Sequence, residues 1–170
     1  LADSGLACEH RVRRPRRPVV ATLEDACRVL VGVEAPGIFE SRDDGATWKR
    51  LPFPYKGSMF GVLVTGENRL LAYGLRGNVY ESKDGGSSWS KVDTQASVSL
   101  MGGALLEGGG VVLAGANGTV LRREAADKPF TLATFHNAVG ETPALAGILP
   151  DGHGDYVIVG DKGADTYHPQ

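Results

Sequence analysis

Apolar residues along this chain come in short runs: RVLVGV at 28–33, RLLAYG at 69–74, GVVLAG at 110–115 and DYVIVG at 155–160, each bounded by Gly, Asp, Asn or Ser. Runs of this length, split by turn signals every 8 to 12 residues or so, are the pattern of antiparallel strands. No stretch carries the 3.6-residue spacing of an amphipathic helix, which excludes leucine-rich and helical repeats. In the clearest unit the pattern predicts strand at 59–64, turn at 65–68, strand at 69–73, turn at 75–78, strand at 79–82 and a fourth strand near 88–92.

The same pattern recurs. SRDDGATW at 41–48 returns as SKDGGSSW at 82–89, 41 residues later, and the apolar runs ahead of the two copies share that offset. GVVLAG opens a third unit whose turn has degenerated to RREAADKPF at 122–130, with Phe130 holding the aromatic position 41 residues after Trp89. A fourth unit begins at Ala144 and runs through DYVIVGDKG. Four strands in about 41 residues is the size of one β-propeller blade. The predicted class is therefore all-β, a partial propeller of three to four blades, each of four antiparallel strands, at about 19–51, 59–92, 100–133 and 144–170. Open blade edges at both ends predict self-association. Residues 1–18 stand outside the register: RVRRPRRP at 11–18 has five arginines and two prolines, reads as a solvated tail, and makes a poor twin-arginine signal because Pro follows each Arg pair.

Composition adds limits rather than a function. Net charge is -2, with 18 basic and 20 acidic residues, so no bulk field argues for nucleic acid or an anionic membrane. The 24 glycines sit at turns rather than in a run, in keeping with many tight hairpins. Cys8 and Cys27 are the only cysteines, without a CxxC, so neither a disulfide framework nor a zinc site is supported. No apolar run reaches the roughly 18 residues of a membrane span, and an export signal, if there is one, is expected upstream of Leu1.

The repeated turn has a physical logic. An Asp in a tight turn accepts hydrogen bonds from the backbone of that turn, and a following Gly supplies positive φ. Ser41, Asp43, Gly45 and Trp48, and again Ser82, Asp84, Gly86 and Trp89, suit these roles. Each Trp is expected to lie largely buried beneath its turn, so that alanine there costs roughly 3–5 kcal/mol and phenylalanine much less. With its two SxDxGxxW boxes, YKGSMFGVL at 55–63, LLAYGLRGNVYESKDGGSSW at 70–89 and VVLAGANGTVL at 111–121, the chain resembles the Asp-box (BNR-repeat) propellers, and among them the photosystem II stability/assembly factor family. That resemblance implies an exported protein, in periplasm or thylakoid lumen, that binds a protein partner without catalysis and without a cofactor.

The alternative is a fragment of a sialidase-like glycoside hydrolase, which needs an arginine cluster, a Tyr–Glu nucleophile pair and an acid. No FRIP-like segment occurs, and Tyr55, Tyr73, Tyr80, Tyr156 and Tyr167 have no Glu placed to activate them. The boxes fail as EF-hand loops, since Arg42 or Lys83 falls at the third ligand position. DGHGD at 151–155 reads as a polar hairpin rather than a metal site, and Asn117-Gly118-Thr119 as a hairpin turn rather than a glycan acceptor. Recognition is expected on the face made by the loops that link blades and the turns between second and third strands, where Tyr55, Lys56, Arg76, His136, Asn137 and Lys162 fall together. Lys56, Arg76 and Lys162 would make a basic patch there; by the family resemblance Arg76, in LRGN, is the best match to a partner-contacting arginine.

Overall fold

A computed structural model describes residues 19–22, 28–33 and 37–169; the arginine-rich segment and both cysteines lie outside these. The described strands form four antiparallel sheets, each ordered as the chain runs. The first contains β1 (Val19–Thr22), β2 (Val29–Val33), β3 (Gly37–Ser41) and β4 (Lys49–Arg50). The second contains β5 (Met59–Gly66), β6 (Arg69–Gly74), β7 (Val79–Ser82) and β8 (Ser90–Val92). The third contains β9 (Leu100–Leu105), β10 (Val111–Gly115), β11 (Thr119–Arg123) and β12 (Thr131–Thr134), and the fourth β13 (Leu145–Pro150), β14 (Tyr156–Gly160) and β15 (Gly163–Tyr167). The first strands of successive sheets lie against one another, β1 on β5, β5 on β9 and β9 on β13.

In the second and third blades the second strand is an unbroken apolar run because both faces of the sheet are covered. On β6, Leu70 and Ala72 pack with Leu30, Ile38 and Leu51 of the first blade, while Leu71 and Tyr73 pack with Leu100, Val111, Leu113 and Leu121 of the third. On β10 the alternate residues Val112 and Ala114 turn to the fourth blade, meeting Leu145, Ile148, Tyr156 and Ile158. Each fully buried Leu or Val in these joints stabilises the fold by about 1.5–3 kcal/mol relative to exposure. The period of two along each strand thus decides which neighbour a residue meets, not whether it meets one.

The fourth blade breaks off that series. Leu149 pairs with Val157 across β13 and β14, as Ala104 pairs with Val112 across β9 and β10. Ala104 is buried and Val112 has no exposed surface, whereas Leu149, Val157 and Val159 are 63%, 45% and 46% exposed. The outward face of the fourth blade is thus a blade-to-blade surface without its neighbour among the described residues.

Candidate functional site

One end of the propeller is made by the boxes. Ser41 Oγ donates to Asp43 Oδ1 at 2.8 Å and accepts from Gly45 N–H at 2.8 Å. Asp43 in turn accepts from Thr47 N–H at 2.8 Å and from the Thr47 hydroxyl at 2.6 Å. The second box repeats each bond with Ser82, Asp84, Gly86 and Ser88. Gly45 and Gly86 take φ of 85° and 95°, as the turn requires. The Ser88 hydroxyl, then the Ser88 N–H, then Ser82 hold the Asp84 carboxyl down at about 2, and Thr47 and Ser41 lower Asp43 in the same way. A folded-state pKa below the unfolded value means these bonds contribute stability above the unfolded value, near pH 4, and lose it as pH falls through the folded one. Thermal midpoints are therefore expected to drop between about pH 4 and pH 2, and Asp84→Asn to flatten that segment. An unchanged pH profile in the variant would remove the box from the account of acid unfolding.

The tryptophans depart from expectation. Both indole N–H groups close back on the turn, Trp48 Nε1 to Gly45 O at 3.0 Å and Trp89 Nε1 to Gly86 O at 3.1 Å. Trp48 is nevertheless 44% exposed, so the burial expected of it, and the 3–5 kcal/mol that rested on that burial, do not hold. Trp89 is half-buried because Phe53 packs edge-on against it with ring centroids 5.0 Å apart. Among the described residues no aromatic ring serves Trp48 in this way. Phe130 in the third unit is buried beneath the Arg123 guanidinium, 5.1 Å from its ring centre.

A second set of residues, missed in the sequence, ties blades together at this end. Arg28 Nε donates to Glu40, and Arg28 Nη2 reaches across to Gly85 O in the second box at 2.6 Å. One blade later Arg69 lies 3.7 Å from Glu81 and donates to Asp127 in the degenerate third turn at 2.7 Å. Lys83 also contacts Asp127, and Arg69 followed by Lys83 holds that carboxyl at about 2. Arg28 and Arg69, and Glu40 and Glu81, are each 41 residues apart. The signal was visible as a repeated Arg and Glu flanking the box.

The opposite end carries the loops between blades. Each turn between second and third strands is laced to the loop that enters its blade: Leu75 N–H to Ser58 O at 3.0 Å, Ala116 N–H to Ser99 O at 2.9 Å and Asp161 N–H to Ala144 O at 3.1 Å. These bonds hold Lys56, Arg76, His136, Asn137 and Lys162 on loops of one end. Arg76 is exposed, with φ of 58°, at the tip of a turn closed by Asn78 Nδ2 donating to Leu75 O at 2.8 Å. Asn117, at φ 57°, holds the same position one blade on. Lys162 Nζ lies 3.4 Å from Glu141 Oε2, and Asn137 Nδ2 donates to that same oxygen at 3.1 Å. The Lys162 charge is thereby offset, so the basic patch expected from Lys56, Arg76 and Lys162 is reduced to Lys56 and Arg76. Tyr55 is half-buried and stacks on Tyr80 with centroids 5.8 Å apart, which makes it a packing residue as well as a loop residue. Asn137 and Lys162 share a pocket of about 210 Å³ with Phe135, Val139, Pro143 and Val159, and Val139 beside it is 78% exposed.

At 151–155, Asp151 Oδ1 accepts from His153 N–H and Asp155 N–H, which closes a hairpin. Among the described residues no three His, Cys, Asp or Glu side chains are grouped to hold a metal ion, and no helix is long and apolar enough to cross a membrane.

No protein-family profile matches the sequence, and no characterised protein matches it by sequence. Solved structures do match in shape. An ancestral GH74 enzyme superposes with a TM-score of 0.73 at 16% identity, over 87% of this chain and 22% of that one. YCF48 from Cyanidioschyzon merolae superposes with a TM-score of 0.63 at 15% identity, over 89% of this chain and 53% of its own. The fold is that of a partial β-propeller. YCF48 bound to a D1 peptide also matches the propeller, with a TM-score of 0.58 at 14% identity over 88% of this chain and 52% of its own. This chain thus spans about a fifth of the GH74 enzyme and about half of YCF48.

Proposed function

We propose that this propeller is a non-catalytic binding or assembly module of the kind represented by photosystem II assembly factors, exported, and docking a protein partner on its loop end. The observation that carries the reading is Arg76. A non-glycine residue at φ 58° is strained by about 1–2 kcal/mol, and Asn117, the residue type best suited to that conformation, stands at the equivalent place in the next blade. An exposed arginine on a turn of that backbone geometry, with no ion-pair partner among the described residues, presents an uncompensated cation at the loop end. On the same end, between the 135–143 loop and the fourth blade, the pocket beside Val139 offers an apolar anchor point. YCF48, whose fold this chain shares, has been solved with a peptide bound, in keeping with a protein partner.

The hydrolase reading loses support from the acids of this end, which are engaged in local bonds. Asp93 accepts from Gln95 N–H, Asp161 from Ala144 N–H, and Glu141 from Asn137 and Lys162. Self-association through the open face of Leu149, Val157 and Val159 belongs to the same proposal. Capture from a lysate of the source organism is expected to recover a partner with the wild-type chain, and about tenfold less with Arg76→Glu, the loss growing smaller at high salt. Arg76→Asn, which suits the conformation, is expected to weaken capture while unfolding at the same temperature or slightly above. Equal capture by all three proteins would overturn the assignment of the loop end.

A further inference from the structure

Each joint between blades is built from two unlike halves. Where the second and third blades meet, the second contributes Leu71, Tyr73 and Val79, with Leu63 packed beside them, and the third contributes Val111, Leu113, Leu121 and Phe130. The end blades each leave one of these halves uncovered. On the fourth blade Leu149 pairs with Val157 and Val159 with Ala164, as Leu63 pairs with Leu71 and Tyr73 with Val79 on the second. Leu149, Val157, Val159 and Ala164 therefore stand in the places of Leu63, Leu71, Tyr73 and Val79, but exposed to solvent. The first blade carries the other half. Its Val29, Val31, Phe39 and Trp48 lie two 41-residue repeats ahead of Val111, Leu113, Leu121 and Phe130. Val111, Leu113 and Leu121 have no exposed surface, whereas Val29, Val31 and Phe39 are only half-buried and Trp48 is 44% exposed. Charge does not oppose a match between the two faces. Where the joint of the second and third blades sets Glu81 against Arg123, the corresponding places on the open faces hold Thr166 and Ser41, so covering them buries no unpaired charge there.

We infer that the two open faces cover each other across two molecules: the fourth blade of one copy docks on the first blade of a second copy of this chain, and the reciprocal joint closes a ring of eight blades about a two-fold axis. This assembly rests on the self-association proposed above and names the surface that covers the open face. Contacts between unlike patches lead either to a closed ring or to an open filament. Two copies of four blades reach the upper end of the usual propeller range of about four to eight blades, and three copies would exceed it. Pairing two fourth blades through their like faces would instead leave the first-blade face, with Trp48, in water. Closing both unlike joints covers Trp48, Leu149, Val157 and Val159, four of the seven large exposed hydrophobic side chains among the described residues.

Sedimentation velocity of the full chain from about 1 to about 100 µM tests this, with one charge-introducing variant on each face. Wild type is expected to form a discrete dimer that grows no further, with a thermal midpoint that rises with concentration. Val157→Lys alters the fourth-blade face and Trp48→Glu the first-blade face. Each alone is expected to weaken dimerisation by about a hundredfold, because in a ring of two identical chains the change enters both joints. Mixed in equal amounts, the two variants are expected to recover the dimer, since one joint is then native and the other sets the introduced lysine against the introduced glutamate. Recovery also shows that both variant chains are folded. Arg76→Glu is expected to leave dimerisation unchanged, so partner capture without a dimer would sink only the ring, and a dimer without capture only the loop-end reading. A wild type that stays monomeric at about 100 µM, species that grow continuously beyond the dimer, Trp48→Glu dimerising as well as wild type, or no recovery on mixing would each overturn the inference.

Discussion

Glu81→Ala is expected to destabilise the propeller by about 3–5 kcal/mol, seen as a lower urea midpoint with an unchanged slope. Glu81 is buried at the joint of the second and third blades and is the anion that faces both Arg123 and Arg69. Removing it leaves a guanidinium that is 1% exposed beside a second one, with no carboxylate between them. The energy lost is chiefly that of a buried charge without a counter-charge, since the pair itself contributes little beyond its own desolvation. Two further variants separate these terms. Glu81→Gln keeps the shape and one acceptor, so it should fall between wild type and Glu81→Ala. The double variant Glu81→Leu, Arg123→Met removes both charges, and should recover most of the loss even though two native contacts are gone. If the double variant were as unstable as Glu81→Ala, the penalty would lie in packing rather than charge.

The same joint shows what could and could not be read in the chain. The box turns were legible because each bond in them is local: Ser41 to Asp43 and Gly45, and Asp43 to Thr47, all fall within a span whose geometry the residue types dictate. The strands were legible for the same reason, as was the placing of inter-blade loops and second turns at one end, since strand alternation fixes it. Burial of the tryptophans was not. It depends on Phe53, which reaches Trp89 from the loop entering its blade, and an interaction between loop and turn has no period to reveal it. Charge pairing was likewise hidden. Lys162 looks free in sequence, and only the course of the 134–143 loop brings Glu141 to it. Arg123 looked like part of a decayed turn, because nothing local says that a residue at the serine position will point into a joint closed by the preceding blade.

Gly77→Ala is expected to be more damaging than Gly85→Ala, although both glycines have nearly the same backbone, φ of 68° and 70°. Both substitutions incur the strain of a left-handed L-residue, about 1–2 kcal/mol. For Gly85 that is the whole effect, because a methyl group there would have nothing nearer than Arg28 Nη2 at 3.7 Å. For Gly77 the methyl would fall 1.9 Å from Ala96 O, which is backbone and cannot rotate away. Relief requires the 93–97 loop to lift from the turn, which breaks the bond from Thr94 Oγ1 to Gly77 O, now 3.1 Å, and uncovers the turn beneath Arg76. Adding overpacking to strain brings the expected loss to about 2–5 kcal/mol. Because the lifted loop belongs to the end proposed to dock a partner, Gly77→Ala should also reduce capture below the level that its residual folded fraction explains, while Gly85→Ala, at the opposite end, should not. Equal urea midpoints for the two variants would mean that the loop is loosely seated, and that Arg76 is displayed on a mobile turn instead of a fixed one.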